Sequence, residues 1–132
     1  MYTDGASRNN PGEAAIGVVI KDADGTPLKT LSRYLGIATN NVAEYRALLA
    51  ALDLLSHYPA EEIKIFLDSQ LVVRQVLGEY KVKQPHLLPL VLEARKKMGQ
   101  FSNLTLAHIP RERNAEADAL ANEAIDNRIK KA

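Results

Sequence analysis

The stretch that decides the fold is Thr39 to Leu55, TNNVAEYRALLAALDLL, which has the apolar spacing of an α-helix. Counted in helical steps from Glu44, the same face carries Leu48, Ala51, Leu52 and Leu55. Glu44 therefore lies on the face that meets the core, where a carboxylate needs a partner, a cleft or a cation. Asn41 offers an alternative, because an Asn-x-x-Glu pattern can form a capping box in which Glu44 bonds the cap amide.

Asp4 lies in a short predicted strand near the start of the chain. Asp is uncommon in strands, and Gly5 after it indicates a backbone kept bare where a ligand approaches, although a turn at the strand end is the simpler alternative. A second strand over residues 14–22 and a third over 27–35 are joined by a hairpin at Asp24-Gly25. These strands predict an antiparallel meander ahead of the helix.

Two further acids lie at the ends of predicted elements. The apolar segment IKIFLDS, residues 63–69, predicts a strand buried on both faces, and Asp68 lies at its carboxyl end, where open α/β sheets place ligands. Asp118 lies in the first turns of a final helix for which Asn114 is the predicted cap. The alternatives are structural, because Asp68 can cap the next helix and Asp118 can complement a helix dipole.

The rest of the chain predicts helices over residues 69–78 and 86–99 and a last strand over 103–109. The element order is then β-β-β-α-β-α-α-β-α. With 132 residues, the chain has the length of one domain, and we expect residues 1–132 to form it, with a frayed polar tail over 127–132.

Composition limits the classes of partner. The 17 basic and 16 acidic residues give a net charge of +1, so nucleic-acid binding would depend on local patches. The chain has no cysteine, no signal-peptide pattern and no apolar run long enough to span a membrane. We therefore expect a cytoplasmic protein with no membrane partner, and we expect a monomer.

Four segments together resemble the type 1 ribonuclease H family: YTDGASRNNPG, TNNVAEYRALLAAL, LDSQLVV and ERNAEADALAN. They occur in order, on a predicted strand, helix, strand end and helix, and they span almost the whole chain. The resemblance implies a ribonuclease H-like α/β fold, in which a five-stranded mixed sheet of three antiparallel and then two parallel strands is flanked by helices. It also implies a catalytic and metal-binding site of four carboxylates: Asp4, Glu44, Asp68 and Asp118.

The chemistry of four acids agrees with phosphodiester hydrolysis. Two Mg²⁺ ions can activate the attacking water and stabilise the leaving oxygen. Hard cations prefer oxygen ligands, so carboxylates without cysteine favour Mg²⁺, with Mn²⁺ as a substitute, over zinc. A serine nucleophile is not supported, because no serine lies in a recognisable nucleophile elbow. The remaining alternative is four acids in four separate capping roles.

The resemblance also implies that four amide side chains contact an RNA/DNA hybrid: Asn10, Asn40, Asn41 and Gln70. Amides donate and accept toward minor-groove edges and 2′-hydroxyls, which distinguish RNA from DNA. Each amide has a structural alternative: turn formation for Asn10, helix capping for Asn40 and Asn41, and an exposed helix surface for Gln70.

The sequence departs from well-known members of this family in two places. The loop of residues 78–85 is too short for the basic protrusion with which many members grip the hybrid. Other basic residues can partly substitute for this protrusion: Lys81, Lys83, Arg95, Lys96 and Lys97. The alternative is that they form an ordinary solvated surface. Many members also carry a mobile-loop histidine before the last acid. Here that loop holds Arg111, Glu112 and Arg113, whereas His108 falls in a predicted strand and is interpreted as structural.

The sequence therefore predicts an Mg²⁺-dependent endoribonuclease that hydrolyses the RNA strand of RNA/DNA hybrids. One alternative is another two-metal nuclease of the same superfamily, which would not be expected to need the TNN and DSQ amides. A second alternative is a catalytically silent hybrid-binding module, against which the intact set of four acids argues.

Overall fold

The computed structural model describes residues 1–58 and 60–131, with side chains as far as residue 128. The strands are β1 (Tyr2–Ser7), β2 (Gly12–Lys21), β3 (Pro27–Ala38), β4 (Ile63–Leu67) and β5 (Leu104–His108). The α-helices are α1 (Asn40–Leu55), α2 (Gln70–Val76), α3 (Leu88–Met98) and α4 (Ala115–Lys131). Single 3₁₀ turns lie at Pro85–Leu87 and Arg111–Arg113. The element order is the predicted one.

The strands form one mixed sheet in the order β3-β2-β1-β4-β5. β2 pairs antiparallel with both β1 and β3, whereas β4 pairs parallel with both β1 and β5. The predicted ribonuclease H-like fold is therefore confirmed. The pairing of β1 with β4 covers only Tyr2 with Phe66 and Thr3 with Leu67, so it ends immediately before Asp4 and Asp68.

Helices cover both faces of the sheet. A Cβ added at Gly5 would meet the α1 backbone, and one added at Gly17 would meet the α4 backbone. Because Gly17 pairs with Asp4, the neighbour of Gly5, the two glycines face opposite sides of the pleated sheet. The larger core cluster lies between the sheet and α1, α2 and α3, and a smaller cluster of alanines with Ile125 lies under α4.

Two element boundaries differ from the sequence-based prediction by three residues or more, and the others agree within two residues. β3 continues to Ala38 beyond the expected end at Leu35, because Ala14 pairs with Gly36 and Ala15 with Tyr34. Leu35 is thus the extra residue of a bulge, which Gly36 permits with a φ of 89°. The last helix runs to Lys131, so the tail expected to fray from residue 127 is helical that far, and Ala132 lies outside the described residues.

None of the helices in the described part of the chain combines the length and the apolar character that crossing a membrane requires.

Candidate active site

Three acids from separate elements meet in space. Asp4 lies in β1, Glu44 in the second turn of α1, and Asp68 directly after β4. One carboxylate oxygen from each lies within 4.8 Å of the other two. Asp4 and Glu44 are only 4% and 7% exposed, whereas Asp68 is half-buried. The acids that the sequence singled out separately therefore form one carboxylate cluster.

Gly5 brings Glu44 against β1. Its backbone N–H donates to Glu44 Oε1 at 3.2 Å. A Cβ at this position would lie 2.2 Å from the Ala43 carbonyl carbon and 2.3 Å from the Glu44 nitrogen, so only glycine permits the approach. The close contact expected from Gly5 is present, but the approaching group is the α1 backbone.

The capping alternatives for two of the acids are wrong. Thr39, not Asn41, caps α1, since its hydroxyl accepts from the Val42 N–H at 3.2 Å. Glu44 is therefore free of a capping-box role and bonds Gly5. Ser69 caps α2 in the same way, accepting from the Val72 N–H at 3.3 Å, so Asp68 is not needed as a cap.

The electrostatics of the cluster favour a cation. Burial raises the pKa of Asp4 far above its ordinary range, and the neighbouring carboxylates, above all Glu44, raise it further. Burial and the charge of Asp68 also raise the pKa of Glu44, against the neighbouring Asp4 side chain, the Gly5 N–H and the charge of Arg111, which lower it. Within the described residues, the buried Glu44 Oε2 has no hydrogen-bond partner. An all-oxygen donor set with an unpaired buried oxygen fits a hard divalent ion.

Asp118, the fourth predicted acid, lies at the edge of the site. It is half-buried in the first turns of α4 and is not among the carboxylates within 4.8 Å of one another. It is close enough to Asp4 that a hydrogen bond between their side chains helps to raise the pKa of Asp4. Asn122, one turn further along α4, donates to the Asp118 carbonyl at 3.0 Å and to its Oδ1 at 3.3 Å.

Asn114 does not act as the predicted side-chain cap. Its backbone carbonyl accepts the first bond of α4 from the Asp118 N–H at 3.1 Å, but its side chain is turned into the protein and is 1% exposed. There Nδ2 donates to the Thr3 carbonyl at 2.8 Å and to Asp68 Oδ2 at 3.2 Å. The sequence signal for this role is the same as for a cap, so only the packing reveals it.

Two of the four predicted amides organise the loop beside the site. Asn10 Oδ1 accepts from the Asn40 N–H at 2.9 Å, and Asn40 Oδ1 accepts from the Ser7 N–H at 2.9 Å. These bonds tie the β1–β2 loop to the start of α1. Asn41 lines a cavity of about 530 Å³, and Gln70 is exposed at the start of α2. Nucleic-acid contacts by all four amides stay a prediction.

The predicted basic patch is smaller than expected. Arg95 donates to the carbonyls of Val76 at 3.0 Å and Gln75 at 2.8 Å, which closes the end of α2. Lys97 pairs with Asp53 at 2.6 Å. Both side chains therefore have structural partners.

Lys81 and Lys83 are exposed and line the same cavity as Asn41, so they are the basic residues placed beside a predicted amide contact. His108 ends β5 and is exposed, so it lies in a strand as predicted. Arg111, in the following 3₁₀ turn, is the loop residue whose charge reaches Glu44.

This chain is similar in sequence and in structure to known proteins. The family model described as reverse transcriptase-like matches residues 2–124. A bifunctional protein of Mycobacterium tuberculosis is 46% identical over 127 residues, which cover 96% of this chain and 35% of that protein. Ribonuclease HI of Halobacterium salinarum is 43% identical over 126 residues, which cover 96% of this chain and 63% of that protein. This chain therefore spans about a third of the length of the Mycobacterium tuberculosis protein and somewhat under two thirds of the length of the Halobacterium salinarum protein.

Among solved structures, LC11-RNase H1 in complex with an RNA/DNA hybrid superposes with a TM-score of 0.91 at 47% identity, covering 97% of this chain and 96% of that one. The five-stranded mixed sheet with its carboxylate cluster defines a ribonuclease H-like protein. Within that class, the chain belongs to the type 1 ribonuclease H family, a metal-dependent family.

The raised pKa of Asp4 predicts how stability depends on pH in chelator. The folded state holds this proton where the unfolded chain has lost it, so stability should fall as pH rises above about 4, the ordinary value for Asp. Asp4→Asn removes this dependence, so at pH 8 its free energy of unfolding should exceed that of wild type by about 1–2 kcal/mol and its melting temperature should be higher, with both differences shrinking toward pH 5. Thermal melts in chelator at several pH values measure it.

Asp24→Asn, in the exposed hairpin, removes the same charge away from the cluster and is the control. Mg²⁺ should reduce the difference in melting temperature between Asp4→Asn and wild type, because it binds folded wild type more tightly than it binds the folded variant. A variant Asp4→Asn that melts below wild type at pH 8 would show that Asp4 is a stabilising structural acid.

Proposed function

We propose that this chain is an endoribonuclease that hydrolyses the RNA strand of RNA/DNA hybrids and depends on Mg²⁺, with Mn²⁺ as a substitute. The observation that carries the proposal is the cluster of Asp4, Glu44 and Asp68 within 4.8 Å, on the fold of this family. The names of similar proteins support it, since one relative is named ribonuclease HI and another was solved with an RNA/DNA hybrid.

In this proposal Asp4, Glu44 and Asp68 hold the metal ions, and Asp118 completes the site from α4. When bound, the ions supply the activation of the attacking water and the stabilisation of the leaving oxygen. The Gly5 N–H holds one oxygen of Glu44 and leaves the buried Oε2 available as a ligand. Arg111 adds positive charge beside an otherwise acidic site.

Hybrid recognition is assigned to the amides around the cluster. The bonds between Asn10, Asn40 and Ser7 fix the loop and the start of α1 before substrate arrives, which reduces the entropy lost on binding. Asn41 and Gln70 lie at the starts of α1 and α2, close in sequence to Glu44 and Asp68, and their amides are of the type that can donate and accept toward a hybrid. We also propose that the protein is cytoplasmic and monomeric. The cysteine-free composition supports the compartment but has no bearing on the oligomeric state.

The test uses labelled RNA/DNA, RNA/RNA and DNA/DNA duplexes of one sequence, incubated with Mg²⁺ or with a chelator. Cleavage of the RNA strand in the hybrid, lost in chelator and weak or absent on DNA/DNA, is the expected result. Cleavage of DNA/DNA at a similar rate would favour another two-metal nuclease. Hybrid binding in a gel shift without cleavage would favour the catalytically silent module.

Phosphate contacts are expected from the two lysines beside Asn41. The double variant Lys81→Ala, Lys83→Ala should weaken hybrid binding and reduce the slope of log affinity against log salt by about 1 for each lysine that contacts a phosphate. Binding titrations at four salt concentrations measure this slope. Lys29→Ala, on the β3 edge at the other side of the sheet, is the matched control. An unchanged slope in the double variant would show that Lys81 and Lys83 make no phosphate contact and belong to the ordinary solvated surface.

A further inference from the structure

The buried side chain of Asn114 connects β1, which carries Asp4, to Asp68, the residue that follows β4. The β1–β4 ladder ends at the pair Thr3 and Leu67. At that point Asn114 Nδ2 donates to the Thr3 carbonyl at 2.8 Å and to Asp68 Oδ2 at 3.2 Å. Asn114 therefore links β1 to Asp68 at the point where the backbone pairing of β1 with β4 stops.

The orientation of the Asn114 amide follows from its neighbours. Both contacts are oxygen acceptors, so the NH₂ group, with its two donors, must face them. Its Oδ1 is buried and has no partner within the described residues. Leaving a buried oxygen unpaired is unfavourable, and an outward rotamer would serve as an ordinary helix cap. The inward position therefore leaves Oδ1 unpaired and gives up the cap, in exchange for the hydrogen bonds that Nδ2 makes to Thr3 and Asp68.

Asp68 depends on this contact. It is half-buried and follows the last residue of β4, so the strand ladder does not fix its side chain. In the part of the chain that the structure describes, Asn114 is the one hydrogen-bond donor to its carboxylate. The contact engages Oδ2 and leaves the other oxygen available for a cation.

We propose that Asn114 is a positioning residue for the metal site, which fixes the Asp68 carboxylate relative to Asp4 before a divalent ion binds. The inference rests on the proposed function, because it needs Asp68 to be a metal ligand. Carboxylates that bind metals are themselves held by hydrogen bonds, and losing such a partner commonly lowers metal affinity or activity by 10–100-fold.

The test is Asn114→Ala, examined first without substrate. The Mg²⁺ concentration that gives half of the full rise in melting temperature should increase by about tenfold or more. In hybrid cleavage, the Mg²⁺ concentration for half-maximal rate should rise by a similar factor, while KM for the hybrid changes by less than about threefold. Excess Mg²⁺ should recover much of the rate, because the ligands themselves are intact.

Gln75→Ala is the matched control. Gln75 is another buried amide, 4% exposed, which accepts from the Tyr45 hydroxyl at 2.7 Å and donates to the Lys81 carbonyl at 3.4 Å. It should lower the melting temperature in chelator without changing the Mg²⁺ concentration that is needed. If Asn114→Ala is not folded by circular dichroism, Asn114→Ser replaces it, since one hydroxyl donor cannot serve both acceptors, and the same shift in Mg²⁺ dependence is expected.

The outcomes separate this inference from the proposed function. A folded Asn114 variant that matches wild type in both Mg²⁺ titrations, or shifts no more than Gln75→Ala, overturns the positioning role while wild-type cleavage stands. A wild type that neither cleaves the hybrid nor gains stability from Mg²⁺ overturns the proposed function itself.

Discussion

Asp4→Asn, Glu44→Gln and Asp68→Asn are each expected to lower hybrid cleavage in Mg²⁺ by about 10³-fold or more, which corresponds to about 4 kcal/mol of transition-state stabilisation. Each change removes a charged ligand from a cluster whose oxygens lie within 4.8 Å, so the neighbouring acids cannot replace it without moving. Hybrid affinity should stay within about threefold, because the amides and lysines that we assign to binding are untouched. Single-turnover cleavage rates and gel-shift affinities measure the two effects separately.

Asp118→Asn provides the internal comparison. Asp118 lies at the edge of the cluster and is half-buried, so its variant should lose clearly less activity than the other three. A variant Asp68→Asn that cleaves near the wild-type rate in Mg²⁺ would show that the clustered acids do not hold the catalytic metal. Equal losses for all four variants would place Asp118 in the cluster with the others.

Gly5→Ala is expected to destabilise the protein by about 3 kcal/mol or more, at the upper end of overpacking effects. The new Cβ would lie 2.2 Å from the Ala43 carbonyl carbon and 2.3 Å from its oxygen. These are backbone atoms, so no flexible side chain can give way, and α1 must move off β1. Glu44 would then lose its bond to the Gly5 N–H and its place beside Asp4. Urea unfolding measures the free energy of unfolding.

Gly99→Ala is the control for this substitution. There the new Cβ would lie 3.5 Å from the Arg95 carbonyl oxygen, which is an ordinary contact, and the backbone φ is −64°. Its free energy of unfolding should stay within about 0.5 kcal/mol of wild type. A variant Gly5→Ala as stable as wild type, with cleavage intact, would mean that the contact between β1 and α1 does not position Glu44.

The sequence predicted the elements and the three acids of the cluster for a physical reason. Asp4 in a strand, Glu44 on an apolar helix face and Asp68 at a strand end each break a local rule, and local rules are visible in the sequence. That they meet depends on the parallel pairing of β4 beside β1 and on the approach that Gly5 permits. The family resemblance supplied that three-dimensional information.

What the sequence could not predict depends on choices between equivalent local partners. Thr39 and Asn41 are both good caps, and only the helix start at Asn40 decides between them. Asn114 has the pattern of a cap but is drawn inward by acceptors that are distant in sequence, Thr3 and Asp68. Arg95 belongs to a basic run on α3, yet its partners are carbonyls at the end of α2. Such contacts are fixed by packing, which no periodicity encodes.

The most direct test of the central claim is the chemistry of the product ends from an RNA/DNA hybrid with a labelled RNA strand. If the acids hold metal ions that activate water, Mg²⁺ should yield RNA fragments with 3′-hydroxyl and 5′-phosphate ends, an intact DNA strand, and no reaction in chelator. The 3′-hydroxyl is read by polymerase extension of each fragment. Cleavage that persists in chelator, or fragments that end in 2′,3′-cyclic phosphate and cannot be extended, would show that the RNA's own 2′-hydroxyl is the nucleophile and would contradict the account.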